Sequence, residues 1–567
     1  MSIQLPVRQD EGTASSATVH DLLAAQAERR PDAEAILAPG RAPLTYGRLC
    51  HQVDAVVAAL NVRGLGRGDR VALALPNGPD SAVAILGVAA GATACPLNPA
   101  LTIDEFATVL GGLNARALVV SAGTDSPALT AAVTHGIPVL ELVVPAEAEA
   151  GVFTLAGAER SGLPARPGLA KPDDVALILH TSGTTARPKR VPLTHANLSA
   201  FASVVAAELS ADDRGLNLLP LFHISLGSVI GAVAAGSSII CPPGFHVTRV
   251  FDWLDEFRPT WFLAVPTMLQ AMLDRVPGHE SILAQSRLRA IASGAASLPT
   301  TLLAAVEEAF GAPILEAYGL TETGWLTTSP PPPAPRKLGS VGLSRDAEIE
   351  VVDEAGGPLP AGTIGEIVAR GPAVLAGYDG DAAATAAAFF PGGWFRTGDL
   401  GYLDADGYLF LTGRLKELIN RGGEKVSPHE VETALLAHPA ISQAVAFAIP
   451  DERLGEDIAA AVVLRDDTAP DERELRHFAA ERLAYHKLPR RIVFLDALPT
   501  GPTGKPRRIG LAETLGLVPL PLPAPTFADG FVAPRTPLEE VVAGIWREVL
   551  GLERVGVEDD FLALGGD

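Results

Sequence analysis

The chain has 567 residues, which at about 100–200 residues per domain predicts three or four structural units. The 66 acidic and 44 basic side chains give a formal net charge of −22 at pH 7, so neither a nucleic acid nor an anionic membrane surface is an expected partner. Hydrophobic residues make up 48% of the chain, enough for a large core, which excludes global disorder.

The N-terminal 20 residues are polar and carry charges of both signs, without the basic-then-apolar order of a secretion signal, so a cytoplasmic protein is expected. The stretch from Gly215 to Val247 has no charged residue and is long enough to cross a bilayer, but prolines and serines interrupt it. We therefore predict a buried helix leading into a strand, and no membrane span. The widely spaced Cys50, Cys95 and Cys241 are predicted to be small buried apolar residues.

Apolar segments of strand length alternate with Ala- and Leu-rich segments of helical period from about residue 20 to about residue 320. This alternation is typical of βαβ units and predicts an α/β fold with doubly wound parallel sheets. The proline-rich segment 330–335 interrupts the pattern. Short strands and glycine turns follow it and predict a β-rich subdomain over about 336–412, within an N-terminal domain of residues 1–412.

The C-terminal part of the chain divides into three further segments. Residues 413–515 alternate again between strand and helix patterns and predict a separate, small α/β domain. Residues 516–535 are rich in proline and predict an extended linker. Residues 536–567 resume a helical period.

The segment HTSGTTARPKR (180–190) directly follows an apolar run, so this loop leaves the carboxyl end of a buried strand, where open α/β sheets bind ligands. Small and hydroxyl residues there allow backbone amides and hydroxyls to converge on phosphate oxygens, and Lys189 adds a cation. The loop is not a Walker A loop, because no second glycine follows at the required spacing. It predicts a site for a nucleoside triphosphate. Its small and hydroxyl residues are Thr181, Ser182, Gly183, Thr184 and Thr185.

Together with six later motifs, this loop resembles the adenylate-forming superfamily, which contains acyl-CoA ligases, luciferases and the adenylation domains of nonribosomal peptide synthetases. The resemblance runs from about Tyr46 to Arg508, although members usually carry glycine where Ala186 and Arg190 stand. It implies that a carboxylic acid and ATP form an acyl-adenylate and pyrophosphate, after which a thiol takes the acyl group and releases AMP. The later motifs are PLFH (220–223), ASGAAS (292–297), EAYGLTE (316–322), WFRTGD (394–399), GRLKELINRGGEKVSP (413–428) and PTGPTGKPRR (499–508).

The resemblance implies roles for single residues. Glu322 would bind Mg²⁺ as an oxygen ligand, Thr321 would contact the α-phosphate, and Asp399 with Arg414 would bind the ribose. Lys505 would bridge the carboxylate and α-phosphate oxygens as negative charge develops during adenylation. Further residues expected around the nucleotide are Tyr318, which would face adenine, and Gly294, Ala295, Ala296, Glu316, Ala317 and Gly319.

The same resemblance makes the C-terminal α/β domain mobile, with its hinge at Lys416. Gly422, Gly423 and Glu424 would line the tunnel for a pantetheine thiol in the second orientation, although a plain hairpin turn also explains the two glycines. The pocket for the acid is expected to contain Phe222, His223, Ala295, Gly319 and Trp325, with His223 as the gate to the tunnel.

Two patterns bear on the acid. Amino-acid-activating members place an aspartate soon after the PLFH position, whereas no acidic residue occurs from Gly215 to Val247, so the acid is expected to lack an α-amine. Oxalate would require a polar or basic side chain shortly after Glu322, where Gly324 and Trp325 stand instead. Trp325 favours a bounded pocket lined by apolar or aromatic groups, and oxalate is not the expected substrate.

Residues 536–567 resemble the beginning of a carrier domain, ending in LGGD just before the serine that would receive phosphopantetheine. This truncated helical fragment makes a carrier-bound pantetheine the first expected acceptor. The alternative is a free-standing acyl-CoA ligase that uses CoA and resembles oxalate–CoA ligases or takes a medium-size acid. An inactive interaction module of the same fold and a luciferase-type oxygenase also stay open.

Overall fold

The structure, a computed structural model, describes residues 17–157, 162–181, 188–451, 453–465, 468–499, 508–517, 531–550, 552–559 and 564. The helices of this part are α1 (Val19–Arg29), α2 (Tyr46–Val62), α3 (Pro79–Gly91), α4 (Ile103–Leu113), α5 (Pro127–Thr134), α6 (His195–Ala206), α7 (Leu226–Ala235), α8 (Val250–Phe257), α9 (Pro266–Leu273), α10 (Glu280–Ala284), α11 (Thr300–Phe310), α12 (Ala382–Ala387), α13 (Pro428–Leu436), α14 (Glu472–Ala480), α15 (Leu511–Thr514) and α16 (Pro537–Leu550).

The strands of the first half of the chain are β1 (Glu34–Leu37), β2 (Leu44–Thr45), β3 (Arg70–Ala74), β4 (Thr93–Pro96), β5 (Ala117–Ser121), β6 (Val139–Val143), β7 (Thr154–Ala156), β8 (Val175–Thr181), β9 (Lys189–Thr194), β10 (Arg214–Asn217), β11 (Ser238–Ile240), β12 (Trp261–Ala264) and β13 (Ala290–Gly294). Those of the second half are β14 (Ile314–Leu320), β15 (Gly324–Thr328), β16 (Leu343–Ser344), β17 (Glu348–Val352), β18 (Gly365–Arg370), β19 (Phe389–Phe390), β20 (Trp394–Leu403), β21 (Leu409–Arg414), β22 (Ile419–Arg421), β23 (Glu424–Val426), β24 (Ile441–Asp451), β25 (Gly455–Leu464) and β26 (Arg491–Phe494).

Two large sheets form the N-terminal part of the described chain. The first has the strand order β7-β6-β5-β3-β4-β8-β9, in which the five strands from β6 to β8 are parallel and the two edge strands are antiparallel. The second has the order β16-β15-β14-β13-β12-β10-β11-β1-β2, with a parallel centre from β14 to β1. The predicted doubly wound α/β fold is confirmed.

A layer of helices lies between these two sheets. Residues of α1, α2, α3, α6 and α7 share one buried cluster with strands of both sheets, and every residue of α3 except Asp80 is buried. Helices α4 and α5 cover the outer face of the first sheet, and α8, α9 and α11 cover the outer face of the second. The result is five alternating layers, and a helix that is apolar all round, such as α3, is suited only to the middle one.

Glycines spaced four residues apart set the distance between neighbouring helices in the middle layer. A Cβ atom at Gly87 of α3 would lie 2.8 Å from the side chain of Val56 on α2, and one at Gly91 would lie 2.9 Å from Val57. The pair of α6 and α7 repeats the arrangement with Gly227 and Gly231 of α7, each too close to an α6 side chain to carry a Cβ. Both helix pairs therefore depend on glycine for their close approach.

The predicted β-rich subdomain is confirmed as a third sheet, which is antiparallel. Its order is β17-β18-β20-β19, and β21 pairs with the free edge of β20. The strands β20 and β21 place Asp399 opposite Arg414. This register brings two residues from separate motifs side by side.

The described chain divides into two compact units. Residues up to Lys416 belong to the first unit, whereas Glu417–Leu498 and the described residues from Arg508 onward belong to the second. The second unit contains a sheet of order β23-β22-β25-β24, with β26 parallel to β25, and α13 and α14 cover one face of it. Helix α16 lies in the predicted C-terminal fragment and, with Val555 and Leu564, forms a small apolar cluster.

The uncharged stretch forms the buried helix α7 followed by the strand β11, as predicted. No helix in the described part of the chain is long and apolar enough to cross a membrane. Cys95 and Cys241 are buried, but the prediction for Cys50 is wrong, since its side chain is only half-buried. It lies at the margin of the apolar face of α2, beside Asp54, whose charge raises the pKa of the thiol in addition to burial.

Asp213 joins the amino ends of three neighbouring strands of the second sheet. Its carboxylate accepts hydrogen bonds from Thr260 Oγ1 at 2.6 Å, from Arg289 at 2.6 and 2.7 Å, and from the backbone amide of Ser210 at 2.7 Å. Burial opposes ionisation, but these donors outweigh it and lower the pKa of Asp213 to about 2. The network therefore stabilises the ionised form of Asp213, and protonation of Asp213 removes the negative charge that accepts these hydrogen bonds.

We expect Asp213→Asn to lower the free energy of unfolding by about 1–2 kcal/mol at pH 7, because the buried network loses its charge. A carboxyl with a lowered pKa stabilises the fold above the pKa of the unfolded chain, near 4, and this contribution is lost as the pH falls towards 2. The difference between wild type and variant in urea unfolding should therefore shrink from pH 5 to pH 2. Asp212→Asn, at a side chain 97% exposed, is the control and should change neither value.

Candidate functional site

The hairpin of β14 and β15 carries three of the predicted site residues within eight positions. Its turn, Thr321–Thr323, is closed by a hydrogen bond from the backbone amide of Leu320 to Thr323 Oγ1 (3.1 Å). A Cβ atom at Gly319 would lie 2.0 Å from the carbonyl oxygen of Gly324, so only glycine fits at this crossing. The hairpin displays Tyr318, Glu322 and Trp325 at successive points along its course.

Tyr318 belongs to the first of three side-chain groups. Its hydroxyl donates to Asp399 Oδ2 at 2.8 Å, and Arg414 Nε lies 2.6 Å from Asp399 Oδ1. Asp399 is only 4% exposed, whereas Arg414 is about half exposed. Burial raises the pKa of Tyr318, and the charge of Asp399 raises it further, so the hydroxyl stays a donor. A carboxylate fixed in this way offers acceptors suited to a pair of hydroxyl groups.

Glu322 belongs to the second group, which contains a residue that the sequence analysis missed. Tyr378 donates its hydroxyl to Glu322 Oε1 at 3.0 Å, and Lys189 Nζ lies 4.0 Å above the centre of the Tyr378 ring. Burial lowers the pKa of Lys189, and the charge of Lys416 acts in the same direction. Tyr378 lies 56 positions from Glu322 in the sequence, in a segment without a recognisable motif. No local pattern therefore indicated that it belongs to the site.

Much of the predicted phosphate loop lies outside the described residues, namely Ser182, Gly183, Thr184 and Thr185, and so does Lys505. Both ends of the loop are described. Thr181 is the last residue of β8 and pairs with Lys189, the first residue of β9. Because β8 ends at the same edge of the sheet as its parallel neighbours, the loop begins where ligands bind in such folds.

Trp325 belongs to the third group. Its ring meets the ring of Phe201 edge to face, with 5.9 Å between the centroids. Phe201, a buried residue of α6, also occupies the space that a Cβ at Gly324 would need. Sequence analysis missed Phe201, because a buried aromatic residue on an Ala-rich helix reads as ordinary core. Phe222 and His223 follow β10, and their rings lie 4.5 Å apart.

The residues expected near adenine lie at the ends of two parallel strands. Gly294 ends β13 and pairs with Ala317 of β14, and a Cβ at Gly294 would lie 2.8 Å from the Ala317 carbonyl oxygen. Ala295 follows with a φ of +70°, a strained conformation for alanine, and both it and Ala296 are exposed. Burial raises the pKa of Glu316 on β14 to about 7.

The predicted hinge and tunnel residues lie near the start of the second unit. Lys416 is the last residue of the first unit and lies in a short 3₁₀ helix, Leu415–Glu417. Gly422 and Gly423 form the turn between β22 and β23 with φ values of +61° and +101°, as a two-residue hairpin loop requires, and Glu424 begins β23. Their predicted roles at a thiol tunnel stay predictions.

Comparison with known proteins connects this geometry to a family. A family model described as AMP-binding enzyme matches residues 23–379, and one described as AMP-binding enzyme C-terminal domain matches residues 430–505. An oxalate–CoA ligase of Arabidopsis thaliana is 40% identical, over 88% of this chain and 98% of its own. A sulfoacetate–CoA ligase of Cupriavidus necator is 36% identical, over 87% of this chain and 97% of its own.

A solved structure agrees with this assignment. The ATP-bound MatB of Rhodopseudomonas palustris superposes with a TM-score of 0.78 and is 29% identical, over 88% of this chain and 99% of its own. The chain therefore belongs to the AMP-binding enzyme family and is an AMP-forming acid–thiol ligase.

Proposed function

We propose that the protein joins a carboxylic acid that lacks an α-amine to the thiol of free CoA, through an acyl-adenylate. The observation that carries the proposal is the β14–β15 hairpin, which within eight residues supplies one member each of a buried carboxylate clamp, a Lys–Tyr–Glu group and an aromatic wall. These groups suit, in order, a ribose, a polyphosphate and the body of an acid. The CoA ligases among the relatives support the acceptor.

In the first half-reaction, a carboxylate oxygen of the acid attacks the α-phosphorus of ATP, and the bond to pyrophosphate breaks. The Asp399 carboxylate, held by Tyr318 and Arg414, orients the ribose hydroxyls and thereby the α-phosphate. Lys189 compensates charge on the phosphates, and Lys505 takes the same role at the oxygens of the reacting carboxylate and α-phosphate.

Glu322 is the candidate ligand for Mg²⁺. Its carboxylate is 8% exposed and accepts one hydrogen bond from Tyr378 at Oε1, and a hard oxygen donor of this kind fits the preference of the ion. When bound, Mg²⁺ supplies charge neutralisation for the departing pyrophosphate. Thr321, next to Glu322 in the turn, would contact the α-phosphate.

In the second half-reaction, the thiol sulfur attacks the acyl carbon, and the bond to AMP breaks. Movement about Lys416 would bring Gly422, Gly423 and Glu424 to the thiol, with His223 at the gate between the thiol and the acid. A carrier-bound pantetheine, the first expectation from the sequence, has no support among the relatives. It is kept as a second candidate acceptor only because residues 536–567, which include α16, resemble the start of a carrier domain.

The acid is proposed to be small, with an apolar or aromatic body. The Trp325 ring packs edge-to-face on Phe201, and no side chain larger than glycine fits at Gly324 without displacing the Phe201 ring. The position of the Trp325 ring is therefore well fixed. Phe222, His223, Ala295 and Gly319 complete the proposed pocket. Oxalate belongs in the test panel because a relative is an oxalate–CoA ligase, although the residues after Glu322 offer no basic partner for a second carboxylate.

The primary test is ATP–pyrophosphate exchange over a panel of aliphatic, aromatic, dicarboxylic and amino acids, followed by transfer from the best acid to CoA. We expect exchange with a small acid without an α-amine and formation of its CoA thioester. The control is the same exchange assay with no acid added. A preference for an α-amino acid would contradict the pocket assignment, and transfer to a phosphopantetheine-bearing carrier domain but not to CoA would replace CoA as the acceptor.

A second prediction concerns the carboxylate clamp proposed for the ribose, which is formed by Tyr318, Asp399 and Arg414. Tyr318→Phe removes one hydrogen bond to the buried Asp399 carboxylate, so we expect the KM for ATP to rise about five- to tenfold while the KM for the acid stays within twofold. Steady-state kinetics with each substrate varied in turn measures both values. Tyr402→Phe is the matched control, on the β20 strand that also carries Asp399, where the Tyr402 ring stacks on Phe410. An equal effect of the two substitutions would remove Tyr318 from the nucleotide site.

A third prediction concerns Trp325. Trp325→Ala should open the proposed acid pocket, so kcat/KM should rise at least about tenfold for a bulky arylalkanoic acid relative to the best small acid. The ratio of the two kcat/KM values is the measured quantity, and ATP should keep its KM. Trp394→Ala, whose ring contacts Arg370 on the third sheet, is the control. An unchanged ratio would place the acid elsewhere.

A further inference from the structure

Asp379 is held by two arginines that come from distant parts of the chain. Arg190 Nε donates to Asp379 Oδ2 at 2.7 Å, and Arg70 donates to both carboxylate oxygens at 2.7 and 3.0 Å. The main chain reinforces the contact, since the amide of Asp379 donates to the carbonyl of Arg190 at 3.0 Å and Arg190 Nη2 donates to the carbonyl of Asp379 at 3.0 Å. The segment around Asp379 is thus tied to β9 by three hydrogen bonds and to Arg70 of β3 by two.

Two glycines make room for the guanidinium group of Arg190. A Cβ atom at Gly112 of α4 would lie 3.1 Å from Arg190 Nη1, and one at Gly380 would lie 2.7 Å from Nη2. Arg190 therefore fills a space that the surrounding chain leaves for it and is not a solvated side chain, since it is 25% exposed.

The charges around Asp379 are arranged to keep it ionised. Burial opposes ionisation, but the guanidinium groups of Arg190 and Arg70 outweigh it and hold the pKa of Asp379 below its ordinary value. His180 lies opposite Arg190 on β8, and burial, together with the Arg190 charge, lowers its pKa to about 4, so it is neutral at pH 7. The two arginines and the single carboxylate form a compact ionic contact whose geometry is well defined.

In both segments, the residue of the ionic contact is the direct sequence neighbour of a residue of the proposed phosphate site. Arg190 directly follows Lys189, and Asp379 directly follows Tyr378, whose amide donates to Thr385 Oγ1 at 2.9 Å. The pairing of Arg190 with Asp379 therefore joins two segments whose preceding residues, Lys189 and Tyr378, contact each other. The Tyr378 hydroxyl in turn donates to the Glu322 carboxylate.

We propose that Arg190 and Asp379 are positioning residues, which hold Lys189, Tyr378 and Glu322 in the arrangement that binds the pyrophosphate part of ATP. The inference rests on the proposed function in one respect, namely that Lys189 and Glu322 face the β- and γ-phosphates. It does not involve the proposed ribose site, which is formed by Tyr318, Asp399 and Arg414. Loss of the ionic contact should therefore weaken the binding of ATP and leave the binding of AMP unchanged.

Calorimetric titration of the full chain with ATP plus Mg²⁺, and separately with AMP, tests the proposal. We expect Asp379→Asn and Arg190→Gly each to raise the Kd for ATP about five- to tenfold, while the Kd for AMP stays within twofold, because AMP lacks the two outer phosphates. Arg190→Lys should recover part of the ATP affinity, since an ammonium group keeps the charge but not the two-point contact.

Asp174→Asn is the matched control, because Asp174 is 15% exposed, is paired with Arg67 Nε at 2.6 Å and has no described contact with Lys189, Tyr378 or Glu322. Thermal unfolding compares the loss of stability in the two Asp→Asn variants. The proposal would be overturned if Asp379→Asn and Asp174→Asn changed the ratio of ATP affinity to AMP affinity by the same factor. It would also be overturned if the Asp379 and Arg190 variants lost ATP affinity and AMP affinity equally. The readout needs no acid, so a wild type without acid-dependent exchange would count against the proposed function alone.

Discussion

The contact between Gly319 and the carbonyl of Gly324 is the constraint on which the site depends. It brings β14 and β15 closer at this crossing than any side chain would allow, and the three-residue turn beyond it keeps Glu322 buried beside a ring rather than in solvent. With the crossing in place, Tyr318 and Trp325 leave the hairpin at separate points. One backbone contact thus holds together a hairpin that carries one residue of each of three chemically different groups.

Each of these groups is held by a residue from a different part of the first unit. Tyr318 meets Asp399 of the third sheet, Glu322 meets Tyr378 from the loop before α12, and Trp325 meets Phe201 on α6. The Asp399 carboxylate is held by Tyr318 and Arg414, and the Glu322 carboxylate is held by Tyr378. Preorganisation of this kind reduces the cost of ordering side chains when a substrate binds.

The order of elements and the identity of most site motifs could be predicted from sequence, because periodicity and turn residues are local and the motifs stand in a recognisable order. The apolar runs 71–75, 117–120, 175–179 and 290–293 predict strands, and β3, β5, β8 and β13 lie there. What could not be predicted is pairing across the chain. Arg70 and Asp379 are 309 positions apart, and nothing near either residue indicates the other. Phe201 and Tyr378 were missed for the same reason, since their roles come from what the fold places beside them. The half-burial of Cys50 depends on where the apolar face of one helix ends.

The helical layer shared by the two large sheets also has a consequence for synthesis of the chain. Helices α2 and α3 are complete by residue 91, but α6 and α7, which share their buried cluster, end only at residue 235. During translation, α1 can pack on the first pair, but the part of the shared cluster that α6 and α7 cover stays exposed until more than a hundred further residues have left the ribosome. Exposed apolar surface of this kind favours off-pathway association. The first unit is therefore a candidate client for chaperones that shield nascent chains, and its yield in a foreign host should depend on their supply.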